Sequence, residues 1–185
     1  MAFRESGYTE VVPWGHVEFW KCYGCGYICC GPSVVPLTAS EWVKIVQNFG
    51  IEVTQSDGRG LYLRKRADNR CIFQYDCQGK QLCTIQNNKP RACKLWPFKI
   101  SHRPKRGSAE LAAFNYHGER FYIYLDTHCP GIKIGKPNKS FMEAVLPEFL
   151  DIFLRHREKQ FYSTIHLPNV GRSYLPIRRV GVLRI

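Results

Sequence analysis

The sequence has no run of about 18 apolar residues, so no membrane span is expected. Its first residues, Met1-Ala-Phe-Arg-Glu-Ser-Gly, lack an apolar h-region, and no secretory signal is expected. A cytoplasmic, reducing location follows as the expectation, and there thiolate–metal bonds are favoured over disulfides. No Gly-rich nucleotide loop, G-x-S-x-G elbow, H-E-x-x-H helix or dinucleotide fingerprint is present. No catalytic residue is assigned on this basis, and the reading leans away from an enzyme. Repeats and low-complexity tracts are absent. Acidic residues are scarce, with 15 Asp and Glu against 27 Lys and Arg, a formal net charge of +12.

Against these absences stand nine cysteines in 185 residues. The first phrase is Cys22-Tyr-Gly-Cys25-Gly-Tyr-Ile-Cys29-Cys30. Cys71, Cys77, Cys83 and Cys93 follow, and Cys129 comes last in His128-Cys129-Pro130-Gly131. A C-x2-C pair on a glycine-containing turn aims two thiolates at one ion, a geometry used by zinc and by iron–sulfur clusters. His128 is a candidate imidazole ligand beside Cys129, although a loop histidine is the plainer reading. The other histidines show no metal spacing.

The length fits one ordinary domain, and 44% apolar residues suffice for a core. The expected fold class is α+β: a small irregular sheet with a few helices, stapled by cysteine-ligated metal. Residues 1–160 are expected to form the cysteine-rich domain, with a chelating core over about 20–137 and a helix over about 140–160. Residues 161–185 read as a basic C-terminal tail.

Local signals support this layout. Thr38-Ala-Ser-Glu41 is a capping box, followed by apolar Trp42, Ile45, Val46 and Phe49, with Gly50 as the stop. Val17–Trp20, Leu61–Arg66 and Cys71–Tyr75 read as strands. Pro90 suits the first turn of a short helix carrying Cys93, and Pro97 ends it. Lys99 to Arg106 reads as a basic loop, and Leu111–Asp126 as a hairpin turning at His117-Gly118. Ser140-Phe-Met-Glu143 offers a second capping box, and Pro147 should kink or restart the last helix.

Taken in order, these phrases resemble the CxxCxxCC (YkgJ-like) family of zinc- or iron-chelating domains. The resemblance rests on Cys22-x2-Cys25-x3-Cys29-Cys30, the run into Pro36-Leu37-Thr38, Cys71-Ile-Phe and Cys83-Thr-Ile. It continues through Lys89-Pro90-x-x-Cys93-Lys94, Trp96-Pro97-Phe98 and Cys129-Pro-Gly-Ile132 with Gly135-Lys136. It spans about residues 20–137. Three residues separate Cys25 from Cys29 where the family name implies two, so either Cys29 or Cys30 could be the ligand.

With Cys77 set aside as the extra cysteine, the metal candidates are Cys22, Cys25, Cys29, Cys30, Cys71, Cys83, Cys93 and Cys129. Eight thiolates would complete two four-thiolate sites; a single site using four of them is the simpler alternative. The cofactor is an iron–sulfur cluster or Zn2+. The wide scatter of the cysteines leans toward iron, whereas a four-thiolate zinc would be structural.

Two four-thiolate zinc sites would each carry about −2 and leave the chain at about +8, still basic. Basic proteins meet polyanions, which points to RNA or to a ribonucleoprotein such as the ribosome. The residues expected to contact phosphates are Lys99, Arg103, Lys105 and Arg106 after Cys93, and Arg172, Arg178, Arg179 and Arg184 in the tail. Tyr23 and Tyr27 could stack on bases, or simply cover the metal. Two readings result: a metal-stapled basic domain that docks on RNA, or an iron–sulfur redox or metal-handling protein.

Overall fold

The structure, a computed structural model, describes residues 10–26, 29–31, 33–105 and 108–162. It opens with strands β1 (Val11–Pro13), β2 (Val17–Trp20) and β3 (Pro36–Leu37), then helix α1 (Ala39–Phe49). The hairpin β4 (Thr54–Asp57) and β5 (Gly60–Leu63) precedes a second hairpin, β6 (Gln74–Cys77) and β7 (Lys80–Cys83). The short helix α2 (Arg91–Leu95), strand β8 (Phe98–Ser101) and helix α3 (Ala109–Ala112) come next. Strands β9 (Ala113–Tyr116), β10 (Glu119–Asp126) and β11 (Ile132–Ile134) lead to helix α4 (Leu146–Leu154). The class is α+β, as expected, with the strands spread over several small antiparallel sheets.

The larger core grows from β10. Phe121, Ile123 and Leu125 alternate along this strand, and all three are fully buried. One edge of β10 pairs with β8, Tyr122 to Ser101 through Leu125 to Phe98. The other edge takes β9 at Glu119–Tyr122 and β1 at Tyr124–Asp126. Phe141, Val145, Leu146, Phe149 and Leu150 pack into the same core. Trp20, Phe98 and Phe149 meet at its centre, Trp20 edge-on to both phenylalanines, with ring centroids 5.4, 5.2 and 3.9 Å apart.

The last helix differs from expectation at both ends. Asn138, not Ser140, caps it: the Asn138 carboxamide oxygen accepts the Phe141 N–H at 2.8 Å. Pro147 has no N–H to donate backwards, and the turn before it, Phe141–Val145, is π-helical. The helix stops at Leu154 rather than Gln160, because Arg155 takes the left-handed conformation (φ 65°). The chain then folds back. The buried Glu148 carboxylate accepts the N–H groups of Phe161 and Tyr162 at 2.7 and 2.9 Å.

A smaller core forms around α1. The capping box is present: the Thr38 hydroxyl accepts the Glu41 N–H at 3.3 Å, and the Glu41 carboxylate accepts the Thr38 N–H at 2.9 Å. Gly50, at φ 89°, ends the helix. Ile45 packs with Val35, Leu37, Val53, Leu63, Phe73 and Ile85. The strand expected over Leu61–Arg66 ends at Leu63, and Lys65 makes an isolated bridge to Cys71. Cys71–Tyr75 is corrected to the hairpin β6–β7, whose Gln78 and Gly79 both have positive φ, as tight hairpin turns require. Lys99 lies in β8 rather than in a loop, because β10 supplies a pairing edge that local sequence does not reveal. Leu111 and Ala112 belong to α3, and the expected hairpin begins at Ala113.

Candidate metal centre

Three backbone hydrogen bonds and one from backbone to a carboxylate carry the cysteine phrases to one place. The Lys21 N–H donates to the Gly131 carbonyl at 3.0 Å, which sets Cys22 beside Cys129. A Cβ at Gly131 would collide with the Lys21 carbonyl oxygen, so only glycine permits this approach. The Gln81 N–H donates to the Gly24 carbonyl at 2.6 Å, laying the C-x2-C turn on the β6–β7 hairpin that ends in Cys83. Gly26, at φ 60°, presses on Gln81 and Gln74, where a side chain would clash. The Cys71 N–H donates to the Cys30 carbonyl at 2.7 Å. Helix α2 delivers Cys93, and its first N–H, from Arg91, is held by the Glu41 carboxylate at 2.6 Å.

The result is one cavity of about 50 Å3 lined by Cys22, Cys25, Cys29, Cys30, Cys83, Cys93 and Cys129. Cys29 and Cys30, the adjacent pair, both face it, with their sulfurs 3.8 Å apart. Cys71 stands behind this lining, close enough to Cys29, Cys83 and Cys93 to act electrostatically with them. Cys77 is separate and ends β6. Among the described residues no group of three or more His, Cys, Asp or Glu side chains stands as a ready-made ion site. The donor chemistry still fits a soft metal: the cavity lining contains cysteine but no carboxylate and no imidazole. Zinc ions or an iron–sulfur cluster both suit that set.

Burial keeps most of these thiols protonated in the absence of metal. It raises Cys22 and Cys71, lifts Cys83 and Cys129 to about 11, and lifts Cys93 well above the ordinary thiol range. In the adjacent pair, a hydrogen bond from Cys30 stabilises the Cys29 thiolate and brings it down to about 7; the same bond raises Cys30. Metal uptake therefore exchanges protons for the ion. Backbone hydrogen bonds and nearby cations oppose the burial effect. The Lys89 ammonium lowers Cys22, Cys29, Cys83 and Cys93, and the Trp20 indole N–H donates to the Cys129 sulfur at 3.4 Å.

Sequence reasoning assigned no role to Lys89, Trp20 or Gln160. Lys89 and Trp20 lie four and two residues from a cysteine, and that proximity was the available signal. Gln160 had none. It lines the thiol cavity, and its amide donates to the Lys94 carbonyl at 2.7 Å.

Of the residues expected to bind phosphates, Lys99, Arg103 and Lys105 lie among the described residues. Lys99 is engaged with the buried Asp126 carboxylate at 3.5 Å and lies over the Trp96 ring. Arg103 and Lys105 are exposed beyond β8. Arg106, Arg172, Arg178, Arg179 and Arg184 lie outside the described residues, as does Tyr27. Tyr23 is half exposed at the cavity rim. His128 is absent from the cavity lining, and its ring Nδ1 bonds Asp126 at 2.8 Å. Among the described residues no helix is long and apolar enough to cross a membrane.

No curated protein and no solved structure matches the chain. A family model does: CxxCxxCC, "Putative zinc- or iron-chelating domain", matches residues 21–130. All nine cysteines fall in that stretch, which covers more than half of the 185 residues. This chain belongs to the CxxCxxCC family of zinc- or iron-chelating domains.

Proposed function

We propose that this protein is a metal chelator whose thiolate-bound iron–sulfur cluster or zinc joins two hydrophobic cores. One observation carries the reading. Cys22 and Cys129 pack against the β10 core, whereas Cys71, Cys83 and Cys93 pack against the α1 core. Four of these five line the shared cavity. An ion or cluster held there is bonded to both halves, so its binding free energy becomes folding free energy. When bound, the metal supplies strong, directional bonds to sulfur that side-chain packing cannot. Cys22, Cys25 and Cys129 would form one group of ligands. Cys29, Cys30, Cys83 and Cys93 would form the other, backed by Cys71. Lys89 and the Trp20 N–H offset the negative charge that several thiolates concentrate.

The test is anaerobic purification with elemental analysis and optical spectra, followed by chelation at neutral pH. Removing the metal should cost several kcal/mol, a fall in Tm of about 10 °C or more for a chain of this size. An unchanged Tm after complete metal removal overturns the stapling role.

A further inference from the structure

A second cavity, of about 240 Å3, shares Lys89 with the thiol cavity. Its walls come from the start of α1, the segment entering α2, α2 itself and the chain leaving α4. Six cations line it, Lys44, Lys89, Arg91, Lys94, Arg155 and Arg157, against two carboxylates, Glu41 and Glu158. Glu41 is held by backbone donors, and its charge acts on Arg91 and Lys94. One of its oxygens accepts the Arg91 N–H at 2.6 Å, and the other accepts the Thr38 N–H at 2.9 Å. Three of the cations are fastened in place. Arg157 pairs with Glu148 at 3.3 Å, Lys94 donates to the Glu158 carbonyl at 2.8 Å, and Arg91 donates to the Phe153 carbonyl at 3.1 Å.

Lys44 and Arg155 differ from these. Both are exposed, and among the described residues neither side chain makes a hydrogen bond or ion pair. The six cations, from three parts of the chain, outnumber the nearby carboxylates Glu41, Glu148 and Glu158, so the cavity carries an excess of positive charge. Such a site is discharged by a bound anion, and fixed cations need no reorganisation to receive one. The neutral donors Ser40, Asn87 and Asn88 at its border suit additional anion oxygens.

The dimensions narrow the ligand. Pockets for drug-sized molecules run from about 300 to 1,000 Å3, so this cavity suits a compact group rather than a length of polymer. Several converging cations favour a multiply charged group with many acceptor oxygens over a single carboxylate. We propose that this cleft binds a small ligand through its phosphate or pyrophosphate group, beside the metal centre and separate from it.

Calorimetric titration of the metal-loaded full chain with inorganic phosphate and with pyrophosphate tests this. Pyrophosphate should bind at low ionic strength, more tightly than phosphate, and weaken as salt is added. The probe variant is Lys44→Gln with Arg155→Asn. It avoids Lys89, which borders the thiols, and asparagine tolerates the left-handed backbone at position 155 (φ 65°). Pyrophosphate affinity should fall about tenfold or more in the double variant, from the loss of two charge-assisted contacts. Metal content and Tm should not change, so a failure here stays distinct from a failure of the metal reading. Absence of pyrophosphate binding, equal affinity in the double variant, or binding of a short single-stranded RNA without pyrophosphate overturns the proposal.

Discussion

The two cores show two ways of holding a small domain together. The β10 core buries eleven residues, five of them Trp or Phe, and β10 is paired along both edges. Among the described residues the α1 core buries seven, Phe73 the one aromatic of these with Trp42 and Phe49 partly buried beside it, and one of its sheets includes the two-residue strand β3. Cys71, Cys83 and Cys93 fringe the weaker core. Apolar burial contributes in proportion to the area removed from water, so the first core can hold itself and the second gains more from a staple. Three cysteines thus border the core that is poorer in apolar residues, and Cys22 and Cys129 border the richer one.

The strongest way to break this comparison is to strip the metal and follow hydrogen exchange. Amides of α1 and β4–β7 should lose about 100-fold or more in protection, whereas those of β10 and α4 keep most of theirs. Equal loss in both halves would show that the cores fold as one unit whatever the metal does. The next largest effect is Phe149→Ala. Phe149 is fully buried, packed against the Phe98 ring and edge-on to Trp20, so the loss should be about 3–5 kcal/mol by denaturant unfolding. Metal bound per folded molecule should stay constant, because no thiol is touched.

Thr38→Ala probes the weaker half directly. Losing the capping hydroxyl of α1 should cost about 1 kcal/mol. Chelation should enlarge its effect on α1 protection, and an equal effect with and without metal would weaken the contrast. The smallest effect is expected at Cys77. It ends β6 away from the cavity, so Cys77→Ser should change stability by no more than about 0.5 kcal/mol and leave metal stoichiometry intact. Cys93→Ser, in the same assay, should lower both. Matching behaviour of the two variants would remove the distinction between lining and peripheral cysteines.

Much of the local architecture was legible. The α1 capping box, the Val17–Trp20 strand, the 113–126 hairpin and the Cys93 helix all stand where short-range rules put them. The metal-binding character was also legible, since thiols at C-x2-C spacing act over one turn. What failed to show was set by distant partners. The end of α4 depends on Glu148 capturing the N–H groups of Phe161 and Tyr162, and the strand at Lys99 depends on β10. The Ser140 capping box failed because Asn138, two residues earlier, offered the better acceptor.

The sequence alone determined that this chain carries the cysteine phrases of a metal-chelating family, that it is basic, and where its best helix and one of its hairpins lie. Each of those properties is fixed by residue type or by neighbours within a turn or two. Only the tertiary structure decided that seven cysteines meet in one cavity between two cores and that Lys89 serves two cavities. Those outcomes hang on contacts such as Lys21 to Gly131 and Gln81 to Gly24. Long-range backbone pairing of that kind leaves no local periodicity to read; it follows from how the elements pack.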